Sequence, residues 1–369
     1  MILYIGIICL SLFLFLIDFK SRYSFLALLC LFVCFGYTTG SDWVAYEMFY
    51  TSLYETKQFH LTFFKEPGFV LYNFLFVKLG FDFWHFFIFT KISLFIIIFS
   101  CFQKYSPQHT FYLSLTFFIA WYTYFMFIDN PMRNVIAVAI FLLSLESLKK
   151  GHLIHYSGWT ALATLFHYSA LIMVLFYFLR NKTYKTKTII IVYLIANILF
   201  LSPEFLYGML KTLFFFSPNI IEKLDIYSQG LSYGSGKIVS LGMIIHNIFF
   251  VIIILARKHI EEIPNGKMIF LFSIIFLIFY RIGLTATVLG RLQLYLAIFY
   301  TIAIGVSINK FTKKSSLIYV FYVLLVSVIP CIHYLKKDNR YIPYTNYIFI
   351  DKNMSFEERI NYNNQQTKN

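Results

Sequence analysis

Charge is what this 369-residue chain has least of: Asp, Glu, Lys and Arg together make up 13% of it, against about a quarter in an ordinary soluble domain. That shortage excludes a water-soluble protein, because too little polar surface remains to cover the apolar residues. Metal-binding patterns are lacking too. The five cysteines, Cys9, Cys30, Cys34, Cys101 and Cys331, all sit in apolar stretches with no Cys-x-x-Cys or His-Cys spacing. Neither a metal site nor a structural disulfide is expected from them, and no cofactor is implied. The chain also shows no internal repeat and no separate soluble domain.

In place of charge there are 59% hydrophobic and 21% aromatic residues, including 46 Phe and 29 Tyr. They come in blocks longer than a buried core helix needs, so lipid is the solvent for most of the chain. A net charge of +14 would raise the question of nucleic acid in a soluble protein. Here the basic residues gather in short clusters between apolar blocks and form no compact face with interleaved aromatics, so no nucleic-acid partner is expected. The first block, 2–17, has no basic residues before it and no small-residue cleavage site, and Asp18, Lys20 and Arg22 follow it directly. It reads as a membrane span rather than a signal peptide.

A hydrocarbon layer of about 30 Å needs about 20 helical residues. Uncharged stretches near that length occur at 2–17, 23–37, 84–102, 109–128, 133–148, 188–201, 238–256, 268–284, 288–308 and 316–335. The expected fold is all-α, a polytopic transmembrane bundle of about ten full spans, with 1–335 as one multi-pass domain. The short links 18–22, 103–108, 149–152, 180–187, 257–267 and 309–314 are basic, opposed only by Asp18, Glu261 and Glu262. By the positive-inside rule they are cytoplasmic, which places both termini, the loops 38–83 and 202–237, and the tail 336–369 outside. Within the first loop, 69–79 has helical spacing and is expected either to lie along the interface or to dip into the membrane; the Gly- and Ser-rich 230–236 reads as a flexible lid, and the end of the tail as disordered.

One stretch conflicts with simple crossing. Residues 153–179 are apolar but basic at both flanks, so the segment must enter and return as a short helical hairpin with Phe166, His167 and Tyr168 at its apex. The competing reading is one tilted helix with a misplaced flank. Irregular backbone at such depth is tolerated only where protein buries it or a wet cavity receives it.

Ionisable residues near membrane depth are the candidates for chemistry. Arg133 follows Asp129-Asn130-Pro131-Met132, a pattern that caps and starts a helix, so its guanidinium stands near a helix N-terminus, where anions bind. Arg291 is read as opening the helix 291–308, with Tyr295 one turn further; Arg281 is a weaker third case. Two such arginines suit an extracytoplasmic phosphate or diphosphate, while each singly serves equally as an interfacial anchor. Asp42, between Gly40 and Tyr46, is either a proton acceptor for a sugar hydroxyl or a helix cap. Glu66 before Pro67 has the same two readings. His167 either acts on a substrate oxygen or ties down its own hairpin. His246 and His85 look structural, and Lys91 either snorkels or pairs with an acid on a neighbouring helix.

Five strings, GSDWVAYEMFY (Gly40 to Tyr50), KEPGFVLYNFL (Lys65 to Leu75), NPMRNVIAVAIFLLS (Asn130 to Ser144), LFHYSALI (Leu165 to Ile172) and GRLQLYL (Gly290 to Leu296), resemble in order and spacing the EpsG family, a Wzy-like group of bacterial polysaccharide polymerases. The resemblance implies a multi-pass enzyme similar to GT-C glycosyltransferases, which joins oligosaccharide repeats carried on undecaprenyl diphosphate at the outer face of the cytoplasmic membrane. It carries Gly-Ser/Thr-Asp onto Gly40, Ser41 and Asp42, Glu-Pro-Gly onto Glu66, Pro67 and Gly68, and Phe-His onto Phe166 and His167. One departure is Asn134, where the family has Gln after the arginine, which would shorten that amide's reach.

On this reading Arg133 and Arg291 hold the leaving diphosphate, Asp42 or His167 takes the acceptor proton, and Tyr46 and Tyr295 pack against sugars, in metal-independent chemistry. The implied partners are the lipid-linked oligosaccharide, membrane lipid, a flippase and a chain-length regulator. A flippase for the same saccharide would be expected to show two related halves, and none are seen; an O-acetyltransferase would need ionisable residues on the inner side. A ligase that attaches finished polymer is the nearest neighbour in chemistry, and the sequence separates it poorly from a polymerase.

Overall fold

Apolar runs punctuated by Gly, Pro and basic links become helices throughout the computed structural model. The structure describes residues 1–58, 66–213, 240–337, 339–350 and 354–365; among them the one extended pairing is an isolated bridge between Gly36 and Asn346. The chain is an all-helical multi-pass membrane protein. Among the described residues, five helices are long and apolar enough to cross a bilayer, or six if one pair bent by 101° counts as a span. The spans expected at 2–17, 23–37 and 238–256 are shorter, with helices of 15, 12 and 15 residues. The second stops at Cys34 because the next backbone groups are used elsewhere: Tyr37 N–H donates to Thr345 O at 3.0 Å, and Phe35 O accepts from Tyr347 N–H at 2.8 Å. The lid expected at 230–236 lies outside the described residues.

The chain divides into two units, residues 1–177 with 317–369, and 178–316. The first unit holds α1 (Ile2–Leu16), α2 (Tyr23–Cys34), α3 (Trp43–Thr56), α4 (Pro67–Lys78), α5 (Phe83–Tyr105), α6 (Phe111–Phe118), α7 (Met132–Lys150) and α8 (Leu153–Phe166). Local sequence sets their ends. Pro67 starts α4 after an extended Glu66, and Asp82 caps α5 by accepting from His85 N–H at 2.9 Å. Gly151, at φ +73°, ends α7, with Gly151 N–H on Leu148 O and His152 N–H on Ser147 O, the paired bonds of a Schellman close. The interior is aromatic: Phe95 stacks on Phe99 at 4.1 Å, and Phe118 lies 5.8 Å from Phe99 and 5.1 Å from Phe102. Buried Lys91 makes neither of its expected contacts. Its ammonium lies over the Phe87 ring at 5.1 Å and, among the described residues, forms no ion pair.

The segment 153–179 is a hairpin. After α8 the chain turns at His167 and returns through Tyr168–Ile172 and α9 (Met173–Leu179). Tyr156 hydroxyl donates across it to Met173 O, and Tyr177 hydroxyl to Gly151 O, both at 2.8 Å. A single tilted helix would leave these pairs more than 20 Å apart.

The second unit runs from α10 (Thr186–Leu199) through α11 (Pro203–Leu213), α12 (Leu241–Leu255), α13 (Arg257–Glu262) and α14 (Gly266–Thr285) to α15 (Ala297–Val306). Helix α16 (Lys313–Lys337) then leads, from Leu317 onward, back into the first unit. The tail beyond it folds against that unit as a strap. Tyr344 hydroxyl donates to Phe32 O at 2.5 Å, Tyr4 hydroxyl to Tyr341 O at 3.0 Å, and Gly40 N–H to Arg340 O at 3.2 Å. A last helix, α17 (Phe356–Gln365), pairs Arg359 with Glu47 of α3, and its Phe356 ring lies 6.4 Å from Trp43.

Glu47 is buried in that pair, and burial outweighs Arg359 in pushing its carboxyl up to about 7. The unfolded chain gives up this proton near the ordinary carboxylate value, whereas the folded chain keeps it to about 7. The folded state therefore binds more protons between those limits, and stability falls as pH rises through the window. Glu47→Gln is expected to flatten that slope in melting temperatures measured from pH 4 to 8 in detergent; an unchanged slope would assign it to another group.

Candidate functional site

The residues singled out at Gly40–Asp42, Glu66, Arg133 and His167 all lie in the first unit, at the ends of separate elements. Gly40 is there of necessity. Its φ is +89°, and a Cβ would stand 2.2 Å from Ile128 O, so only glycine lets the loop close on the end of the α6 segment. That segment finishes in two π turns, Ile119–Thr123 and Phe125–Asp129, a geometry frequent at functional sites. Asp129 emerges from the second and does not cap α7, as its sequence position suggested; the cap residue is Pro131. Its Oδ1 instead accepts from Ser41 N–H at 3.2 Å and from Ser41 Oγ at 2.6 Å. Ser41 Oγ also lies 3.2 Å from Asp42 Oδ1, and Asp42 precedes α3 without making a side-chain cap bond.

Asn130, with φ +57°, and Pro131 turn the chain into α7. Arg133 is the second residue of that helix, and its Nη1 donates to Glu66 Oε2 at 2.7 Å. The pair is largely withdrawn from solvent, with side chains 22% and 8% exposed. Glu66 reaches it from the start of α4, and α4 comes close to the hairpin because Gly68 has no side chain: a Cβ there would be 2.8 Å from Leu165 Cβ. Tyr46, a turn beyond Asp42, is buried with its ring 5.5 Å from Phe69.

Asn134 is wholly buried, and its Nδ2 donates to Ser169 Oγ at 3.1 Å. The shorter amide thus still reaches the hairpin apex. Ser169 Oγ lies 2.8 Å from His167 Nδ1, and Ser169 N–H also donates to Nδ1 at 3.2 Å. Since Nδ1 accepts from a backbone N–H, it carries no proton in the neutral ring, and Nε2 is the protonated nitrogen. His167 ties down its hairpin and at the same time has a defined donor face.

In the second unit, Arg291 lies in the middle of a 3-10 stretch, Thr287–Leu296, and does not open an α-helix; α15 starts at Ala297. The displacement has a steric cause, since the backbones of Gly283 and Gly290 approach so closely that a Cβ on Gly283 would meet Gly290 Cα at 2.6 Å. Tyr295 is wholly buried within the unit and presents no face at its surface. Arg281 is 2% exposed; its Nη2 donates to Phe200 O at 3.0 Å, and its Nη1 lies 3.3 Å from Met243 Sδ. His246 Nδ1 lies 2.5 Å from Tyr300 hydroxyl. The two partners that the sequence reading missed are Asp129 as an acceptor and Ser169. Asp129 carried the one usable signal, as an acid beside a helix-starting Asn-Pro.

A family model described as the EpsG family matches residues 19–347. The chain belongs to the EpsG family. No curated protein and no solved structure matches it. Membership gives a polysaccharide-polymerase-like role in general terms, and Glu66, Arg133 and His167 lie inside the matched range.

Removing one member of a buried ion pair leaves the other charge uncompensated, at a cost of about 3 kcal/mol. Glu66→Ala and Arg133→Ala are each expected to destabilise the protein by that order, and the double variant by less than the two added together. Unfolding in detergent reads this out; strict additivity would mean that the pair is not energetically coupled.

Proposed function

We propose that this protein is a polysaccharide polymerase that transfers a growing glycan from undecaprenyl diphosphate to a lipid-linked oligosaccharide repeat at the outer face of a bacterial cytoplasmic membrane. The observation that carries this reading is the placement of Arg133. Its guanidinium stands at the start of α7, held by Glu66, beside the His167 apex and on the same stretch of chain as Asp129. In a family of polymerase-like proteins, that is a built anion site next to groups able to handle a hydroxyl.

In the reaction, an acceptor hydroxyl attacks the anomeric carbon of the donor sugar as the bond to the diphosphate breaks. Negative charge grows on the leaving oxygens, where a preorganised guanidinium stabilises the transition state more than the ground state. Arg133 supplies it, and the helix N-terminus adds the partial positive charge of its unpaired N–H groups. The acceptor's proton passes to Asp42. His167, with its proton on Nε2, donates a hydrogen bond to a substrate oxygen and is not the base. A diphosphate leaves readily once its charge is met, so the proposed chemistry draws on arginine and not on a metal. A flippase to deliver repeats and a chain-length regulator are the partners such a reaction calls for.

Deleting the gene is expected to leave single repeats on the lipid carrier at the outer leaflet. Repeats trapped on the inner leaflet would point to flipping, and full-length polymer still on its carrier would point to ligation. Complementation with Arg133→Ala is expected to yield polymer at roughly a hundredth of the normal rate, and Arg291→Ala, run beside it, tests the second guanidinium. Long chains restored by both variants at normal protein levels would overturn the assignment.

A further inference from the structure

Helix α17 covers part of α3 on terms that leave polar groups unmet. The helix is capped by its own residues: Ser355 N–H donates to Glu358 Oε2 at 2.6 Å and Glu358 N–H to Ser355 Oγ at 3.2 Å, a capping box that draws on nothing outside α17. Two contacts join it to α3. Arg359 Nη2 donates to Glu47 Oε1, and the Phe356 ring meets Trp43 edge-on, with centroids 6.4 Å apart. Trp43 and Glu47 are one turn apart on the same face of α3, and the Trp84 ring, from the start of α5, lies 5.6 Å from Trp43. All three side chains are buried. Yet Trp43 Nε1, Trp84 Nε1 and Glu47 Oε2 have no hydrogen-bond partner among the described residues, and neither has Arg359 Nε. Trp84 favours the charged form of the Glu47 carboxylate without reaching hydrogen-bond geometry.

Buried polar atoms are normally paired, so three unmet ones in a single cluster mark groups suited to something that α17 does not supply. Their chemistry defines the complement. Two indole N–H groups need acceptors, the second carboxylate oxygen needs a donor, and the indole rings need an apolar face. A cation offers the indoles no acceptor, and an anion is repelled by Glu47. A neutral sugar ring meets all three needs, through hydroxyls that both donate and accept and through its C–H face. We propose that Trp43, Glu47 and Trp84 form a saccharide-binding platform beside the Asp42 loop, and that α17 is its displaceable cover. The inference rests on the polymerase reading above, to which it adds the place where a ring of the acceptor repeat sits. When the saccharide binds, α17 lifts intact on its own capping box, Arg359 returns to water, and sugar hydroxyls take over the Glu47 carboxylate. Trp43 directly follows Asp42, so a ring held on it is presented next to the candidate base.

The test uses the full-length protein in lipid nanodiscs. The probe is the repeat oligosaccharide released from lipid-linked single repeats of a strain lacking the gene. Titration calorimetry reads binding, and hydrogen exchange of amides 356–365 reads the cover. A ligand whose site is covered binds with an affinity reduced by the uncovered fraction. Phe356→Ala, which leaves the ion pair in place, and Arg359→Ala are therefore both expected to speed exchange in α17 and to lower the Kd about 10-fold, the value for about one molecule in ten uncovered. Glu47→Gln breaks the same pair but also removes the platform's carboxylate, so exchange is expected to rise while the Kd does not fall. Saccharide added to the wild type is expected to speed exchange in α17. Equal Kd values in the wild type and both cover variants, or exchange unchanged by the saccharide, would overturn the cover; Glu47→Gln binding as tightly as Arg359→Ala would overturn the platform. Loss of folding in both cover variants would make α17 a structural element and overturn the proposal too. No binding by any form sinks the platform and leaves the polymerase reading intact, whereas that reading fails separately if the deletion strain accumulates no single repeats.

Discussion

Lipid offers no hydrogen bonds, so a polar group at the margin of a membrane bundle must find its partner inside the protein. In the first unit that requirement is met by side chains bonding across elements. Asp129 takes Ser41, Glu66 takes Arg133, and Ser169 joins Asn134 to the His167 ring. Apart from His167, which is two residues from Ser169, each partner lies on an element remote in sequence. The bonds that offset desolvation are thus the same ones that fix where the loop before α3, the start of α4, the start of α7 and the hairpin apex come together. Glycines allow the approach: Gly40 and Gly68 stand where a single methyl group would collide with Ile128 O or Leu165 Cβ.

The Glu66–Arg133 pair shows how such an arrangement serves a charged substrate. A guanidinium withdrawn from water needs a counter-charge at all times, and one carboxylate at 2.7 Å supplies it. A diphosphate carries more negative charge than a carboxylate and matches the planar fork with two oxygens, so on the proposed reading it competes with Glu66 for the same cation. The pair keeps Arg133 oriented before the substrate arrives, and no reorganisation of a long flexible side chain is left to do during the reaction. Its cost is a desolvated ion pair in the absence of substrate, which explains why Glu66 lies so deep.

Much of this end of the molecule was legible from local cues. Asp42 after Gly-Ser, Glu66 before Pro67 and Arg133 after Asn-Pro are ionisable residues beside helix-starting or turn residues, and each appears at a helix start in the structure. The hairpin was legible because charge at both flanks forbids a crossing. What could not be read were the partners. Ser41 and Asp129 are 88 residues apart, and no pattern in either segment names the other. The strap carries no signal of its own because several of its bonds run through backbone groups to α2 and the Gly40 loop, leaving no periodicity in its own sequence. The same contacts shorten α2, since backbone at Phe35 and Tyr37 that would have extended the helix pairs with the strap instead. Arg291 was misplaced in its element because the approach of Gly283 to Gly290 is a backbone contact, invisible until the turn is built.

Arg281, in the sequence a weaker case than Arg133, is separated from it in the structure by helix polarity. Helix α10 ends at Leu199, and the chain bends by 101° into α11. The break frees the carbonyl of Phe200, and both Arg281 and Thr285 donate to it. A cation at a helix C-terminus complements the dipole and caps an orphan acceptor, and Arg281 braces the elbow in this way. Leu206 and Tyr207 of α11, packed on Ala286, gain from that bracing. Arg133 stands at the opposite kind of end, where the dipole disfavours a cation and favours an anion. It gains nothing from the dipole and is held instead by Glu66, whereas an anionic ligand there would be attracted by guanidinium and dipole together. The arginine set against its helix dipole is the one on which the proposed diphosphate site is built, and for that reason the proposed chemistry is centred on Arg133.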